Sequence, residues 1–305
     1  ISIIISENII TSYKQNIKGF CQNFAAEGLK RAFFGFRAFI EQTPAPSSQF
    51  AILCGLTTLY RLPSRRFCFT IWNMNVRESL KTPSNTDELK QIYKDNGLVY
   101  YTPKEELFNS VSHALGALAA LVFMIFMLLK ATTHVAYASA ALSCLLIAIE
   151  FSVSAIYHGV SDMRKKLMWR TLDFPAVNLN VIACATATCL LYDNVYGYVA
   201  FGVSFAIAIA IFALCLYRFD IFRKVSVAST FVIGGLMFAA FFTAYFSPKG
   251  ISQATSFVYL AGLVSCLLGA AVFGVHKRYV HCLFHIFVLV GPILFLVATY
   301  MQIIA

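Results

Sequence analysis

The sequence predicts an all-α protein, a bundle of seven membrane-spanning helices with its N-terminus in the cytosol and its C-terminus on the far side. Three observations predict it. Hydrophobic residues make up 59% of the 305 residues and charged ones only 12%, about half the charged share of a soluble domain, and the mean hydropathy is +0.72. Seven apolar runs follow one another from residue 107 onward. The basic residues between those runs are distributed unequally, nine on one side against two on the other.

The first stretch, 1–105, differs from the rest. It mixes basic and acidic residues with scattered Phe, and Thr43-Pro-Ala-Pro-Ser-Ser48 and Lys81-Thr-Pro-Ser84 interrupt it. Its best apolar piece, 50–60, falls short of the ~20 residues that a helical span needs. We expect a mostly cytosolic basic extension, with a targeting leader or a surface helix around Arg31–Arg37 as alternatives. The membrane domain is expected over 106–305.

The runs cover about 107–129, 134–157, 172–192, 195–217, 225–246, 253–275 and 280–301, each long enough to cross at 1.5 Å per residue. The breaks after the second, fourth and sixth hold Arg164, Lys165, Lys166, Arg170, Arg218, Arg223, Lys224, Lys277 and Arg278, whereas the opposite side carries Lys130 and Lys249. Basic loops stay on the cytosolic side, which sets the expected orientation. The net charge of +10 therefore points toward anionic lipid, and no nucleic-acid motif is present. The nine cysteines follow no ligand spacing and read as small buried hydrophobes, not as a disulfide framework.

Against this apolar background the polar residues collect at one depth. Glu106, Asn109 and His113 open the first run and share a helix face. Ser154 and His158 close the second, one turn apart. Asp173 starts the third, and His281 and His285 start the last. All lie at the ends assigned to the cytosol, while Glu150 sits two turns deeper in the second run. Capping would account for the Glu106, Asn109 and His113 set and for Asp173, since acids favour helix N-termini and satisfy free backbone donors. It does not account for an i, i+4 histidine pair with a third histidine on another helix. Metal binding does: His158, His281 and His285 supply three imidazoles, and catalytic zinc takes three protein ligands and keeps a fourth position open for water. Bound zinc brings that water's pKa to about 7. Asp173 would accept its proton or hold it in place, and Ser154 would orient it or donate to an oxyanion. Copper, iron and nickel accept imidazole as well.

Four segments resemble one family. Glu106-Leu-Phe-Asn-Ser-Val-Ser-His-Ala-Leu-Gly116, Ser154-Ala-Ile-Tyr-His158, Leu172-Asp173 and His281-Cys-Leu-Phe-His-Ile-Phe-Val-Leu-Val-Gly291 are similar, in order, to motifs of the hemolysin III proteins and the related progestin and adipoQ receptors. The resemblance covers about 100–305. It implies a seven-span bundle with zinc on His158, His281 and His285, and Ser154 and Asp173 beside the water. Glu106, Asn109 and His113 carry over as a supporting or structural motif. Alkaline ceramidases belong to the same superfamily, so the implied chemistry is hydrolysis of an amide in a lipid-like, ceramide-like substrate. A seven-span receptor with structural zinc and a pore-forming cytolysin are the alternatives. The chain departs from the pattern at Ser112, at Phe174-Pro175, at Thr186-Ala-Thr-Cys189 and at Leu294-Phe295, none of them a zinc ligand. Membrane lipids and a lipid or small hydrophobic ligand are the expected partners, in a plasma or internal membrane.

Overall fold

The computed structural model describes residues 86–192, 194–247 and 250–305. The expected leader or surface helix and most of the N-terminal extension lie outside the described residues. Seven helices follow: α1 (Thr86–Asp95), α2 (Pro103–Lys130), α3 (His134–Gly159), α4 (Met163–Leu190), α5 (Val195–Tyr245), α6 (Gln253–Phe273) and α7 (Val280–Ile304). Among the described residues there is no strand. Six of the helices, α2 to α7, are long and apolar enough to cross a membrane, and the chain is an integral, multi-pass membrane protein.

Six helices make seven crossings because α5 is double. Its 51 residues would extend ~77 Å as one rod, more than twice a ~30 Å hydrocarbon core. Arg218 interrupts it with φ −148° and ψ 77°. The arm 195–217 starts beside the end of α4, where Gly197 meets the Cys189 carbonyl, and arrives at the beginning of α4, where Phe219 packs edge-on against Phe174 at 5.4 Å. The arm 219–245 then returns along α4: Ser226 donates to the Phe174 carbonyl at 3.3 Å, and Met237 lies 3.8 Å from Cys189. The two arms are antiparallel spans, as the hydropathy predicts. The break itself is narrower than expected, for Arg223 and Lys224 are helical.

The third span also begins well before the apolar run at 172. Asp162 caps α4, its carboxylate accepting from the Lys165 N–H at 2.9 Å. Met163, Leu167 and Trp169 then pack with Tyr93, Leu98 and Tyr157, so a turn rich in Lys and Arg is helical because its other face is apolar. Asp173 consequently lies inside α4 and does not cap it. Nor do Glu106, Asn109 and His113 cap α2. Thr102 does, in a reciprocal box with Glu105, the arrangement in which cap hydroxyl and N3 carboxylate each satisfy a free backbone N–H.

The bundle is turned inside out relative to a soluble protein. Leu107, Leu115, Leu118, Ile125 and Leu129 of α2 are exposed, while Asn109, Ser112, His113, Gly116 and Ala120 are buried. Lipid is as apolar as leucine, so the inner faces use small residues that let helices approach. At Gly116 a Cβ would stand 2.6 Å from both Leu289 and Phe151, and at Gly291 it would strike the Cys266 sulfur. The beginnings of α2, α4 and α7, the end of α3 and the Arg218 break share one end of the bundle. At the opposite end Gln302 of α7 meets Thr188 of α4.

Candidate metal centre

Three histidines from two helices converge at the first end. His158 closes α3, and His281 and His285 occupy the first turns of α7. Their ligand atoms lie within 4.8 Å of one another. The Nε2 atoms of His281 and His285 are 3.2 Å apart, and the His158 ring centre is 4.6 Å from that of His285 and 5.4 Å from that of His281. His158 and His285 are buried and His281 is half-buried.

The residues fit zinc. Zn–N bonds of ~2.0–2.1 Å in a tetrahedron separate ligand nitrogens by about 3.3 Å, close to the observed 3.2 Å. The donor set is all imidazole. The Nδ1 of His285 and both ring nitrogens of His113 are also buried without a protein hydrogen-bond partner, but they are not among the facing atoms that a metal on the Nε2 pair would satisfy.

His158 is held from behind. Its Nδ1 lies 2.6 Å from Glu106 Oε2, so the ring donates to the carboxylate and turns its Nε2 lone pair the other way, the carboxylate–histidine arrangement that fixes a metal ligand's tautomer. Glu106 Oε1 in turn pairs with Lys166 Nζ at 2.8 Å. Lys166, only 1% exposed, gives its remaining donors to the carbonyls of Tyr157 at 3.1 Å and Val160 at 3.3 Å. Its ammonium thus stands between the Glu106 carboxylate, as an ion pair, and two carbonyls at the end of α3, as a donor.

Glu105 performs a different task. Oε2 closes the α2 cap, accepting from the Thr102 N–H at 2.9 Å and its hydroxyl at 2.7 Å, while Oε1 accepts from the Tyr279 N–H at 2.7 Å. Tyr279 has φ 63°, a left-handed conformation that side chains resist. It has no cap of its own, so a carboxylate from α2 anchors the start of the helix bearing His281 and His285. Tyr101 completes the enclosure, stacking on His281 at 4.4 Å and 14°. Burial, and then the charge of Glu106, holds its phenol above the usual tyrosine range.

Each residue singled out in the sequence can now be placed. Glu106 reaches His158. His113 packs at 4.1 Å against the His285 ring. Asn109 is fully buried on the same face of α2, with both amide atoms lacking a protein partner. Ser154, one turn below His158, meets the Asp173 carboxylate across α3 and α4. Glu150 continues that face of α3 and accepts from the Asn180 amide at 2.8 Å. Lys166, Tyr101, Glu105 and Asn180 were not singled out. Lys166, Asp173 and Asn180 are seven apart and share a face once α4 starts at Asp162, so that cap is the signal that links Lys166 and Asn180 to Asp173.

Beside His281 a cavity of about 430 Å³ opens between α1, the 99–102 segment and the loop joining α6 to α7.

The sequence model of a family described as "Haemolysin-III related" matches residues 101–296. The chain is similar to the protein named hemolysin-3 homolog of Bacillus subtilis (strain 168), 24% identical over 206 residues that cover 63% of this chain and 91% of that relative. No solved structure matches.

Proposed function

The chain belongs to the haemolysin-III-related family, and from that premise we propose that it is a membrane hydrolase that cleaves an amide in a lipid-like substrate, using zinc on His158, His281 and His285. The observation that carries this reading is the convergence of three imidazoles within 4.8 Å next to a hydroxyl–carboxylate pair, Ser154 and Asp173. A purely structural zinc needs no such pair and takes four protein ligands, whereas a catalytic one leaves a position open. When bound, zinc would polarise a carbonyl and acidify water at that position.

The remaining work belongs to side chains. Asp173 takes the proton at its carboxylate, and Ser154 donates its hydroxyl to Asp173 or to an oxyanion. Glu106 keeps the proton of His158 on Nδ1, and Lys166 keeps Glu106 in place. His113 braces the His285 ring. The basic ends of the helices set the site toward the cytosol, so substrate enters from that leaflet or from the cytosolic face.

Elemental analysis of purified protein tests the metal first. About one zinc per chain, lost in His281→Ala/His285→Ala, is expected, and well-folded wild type without metal ends the hydrolase reading. Asp173→Asn and Ser154→Ala should then retain zinc and lose lipid-amide turnover, by ~10²-fold or more for the general base. Retained turnover in Asp173→Asn removes it from the mechanism.

A further inference from the structure

The cavity beside His281 carries its own chemical preference. Its inner wall is His281 with Tyr101, and Tyr101 also faces His158 at 5.9 Å between ring centres. Its outer rim is exposed loop and helix. The volume of about 430 Å³ is that of a small-ligand site, enough for a polar head and a few methylenes and too small for a whole acyl chain. Tyr100, Phe273 and Val275 give it apolar sides, and Lys90, Lys277 and Arg278 give it cations.

The charges do not cancel. Lys90 is paired with Asp87 at 2.8 Å. Glu105 is the carboxylate on the wall; its oxygens accept from Thr102 and the Tyr279 N–H, and its single negative charge acts on Arg278, which leaves Lys277 in excess. Arg278 lies over the Tyr279 ring at 4.9 Å. Among the described residues neither Lys277 nor Arg278 forms an ion pair within 4 Å, and both line the cavity from the exposed loop just before the helix of His281.

We infer that this cavity receives the carboxylate-bearing head of an N-acyl amino acid, with Lys277 and Arg278 as its counter-charges and the amide beside His281. The acyl chain, too long for the cavity, extends past the site into the bilayer. The inference rests on the hydrolase reading for the choice of bond and on the cavity alone for the anionic head. Cleavage joins the oxygen of water to the acyl carbon and breaks the C–N bond. Its electron pair stays on nitrogen, which takes a proton from the water, and the products are a fatty acid and an amino acid.

Two probes of near-equal size separate the possibilities, N-oleoylglycine and the uncharged N-oleoylethanolamine. Binding and turnover are each measured on full-length protein in nanodiscs of neutral lipid. Wild type should bind the glycine conjugate at least about tenfold more tightly, a margin that shrinks in ~0.5 M salt as surface charges are screened. In Lys277→Gln/Arg278→Gln the ratio of the two Kd values should fall to about one, and Lys277→Glu/Arg278→Glu should reverse it. Zinc content reports whether each variant keeps the centre intact. Equal affinities in wild type, or a preference that survives both double variants, overturns the assignment. Preferential binding without cleavage of either probe keeps the cavity assignment and removes the hydrolase. Cleavage without preference does the reverse.

Discussion

The two ends of this bundle are built from the same helices in different materials. At the far end Met127 touches Cys144 and Met237 touches Cys189, each at 3.8 Å between sulfurs. Phe241 stacks on Tyr259 at 4.3 Å, and Tyr259 meets Phe295 edge-on at 4.7 Å. At the other end Lys166, Glu106 and His158 form a line of charged contacts of 2.6–2.8 Å. Soft, weakly directional contacts tolerate a shift of a few tenths of an ångström. Buried charges do not, because a group left without its partner keeps the whole cost of its desolvation. One end holds the bundle together, and the other holds positions.

Mutations at the two ends should therefore differ in size and in kind. Lys166→Met leaves Glu106 without its ammonium in a buried setting and is expected to cost about 3–5 kcal/mol, measured by thermal unfolding in detergent, with Lys166→Arg recovering part of it. Glu106→Gln keeps the volume but puts a neutral amide behind the His158 ring and leaves the Lys166 ammonium without its counter-charge, so zinc affinity should fall about 10–100-fold, together with a loss of stability, read by competition with a chelator on the folded fraction. Unchanged affinity would remove Glu106 from the orientation of His158. Gly291→Ala drives a methyl into the Cys266 sulfur and should cost about 1–3 kcal/mol as overpacking, with zinc affinity in the folded fraction unchanged. At the far end Met237→Leu, a volume-conserving swap, should cost less than about 1.5 kcal/mol and leave metal binding alone. A far-end change that weakened zinc binding as much as Glu106→Gln would erase the contrast.

The sequence was more legible in its spans than in its charges. Hydropathy reports how much of a helix faces lipid, so all seven crossings were visible, including both arms of α5. It is blind to a turn whose charged residues face inward, which is why the start of α4 and with it Lys166 were missed. Glu105 and Glu106 show the other limit. The helical spacing drew attention to Glu106 with Asn109 and His113, and it does reach His158. Its neighbour, one residue earlier, points elsewhere and caps α2 in a Thr-x-x-Glu pattern that could have been read. Its bond to Tyr279, 174 residues away in sequence, leaves no local signal.

The break at Arg218 decides more than the shape of one helix. Between Gly159, just after His158, and Val280, just before His281, the chain crosses four times: along α4, along each arm of α5, and along α6. An even count returns it to the side it left. Were α5 straightened into a single passage, the count would be three and α7 would enter from the opposite face. His281 and His285 would then stand about 30 Å from His158, with every side chain unchanged. The centre is thus a property of parity: one non-helical residue, remote in sequence from all three histidines, determines that they meet.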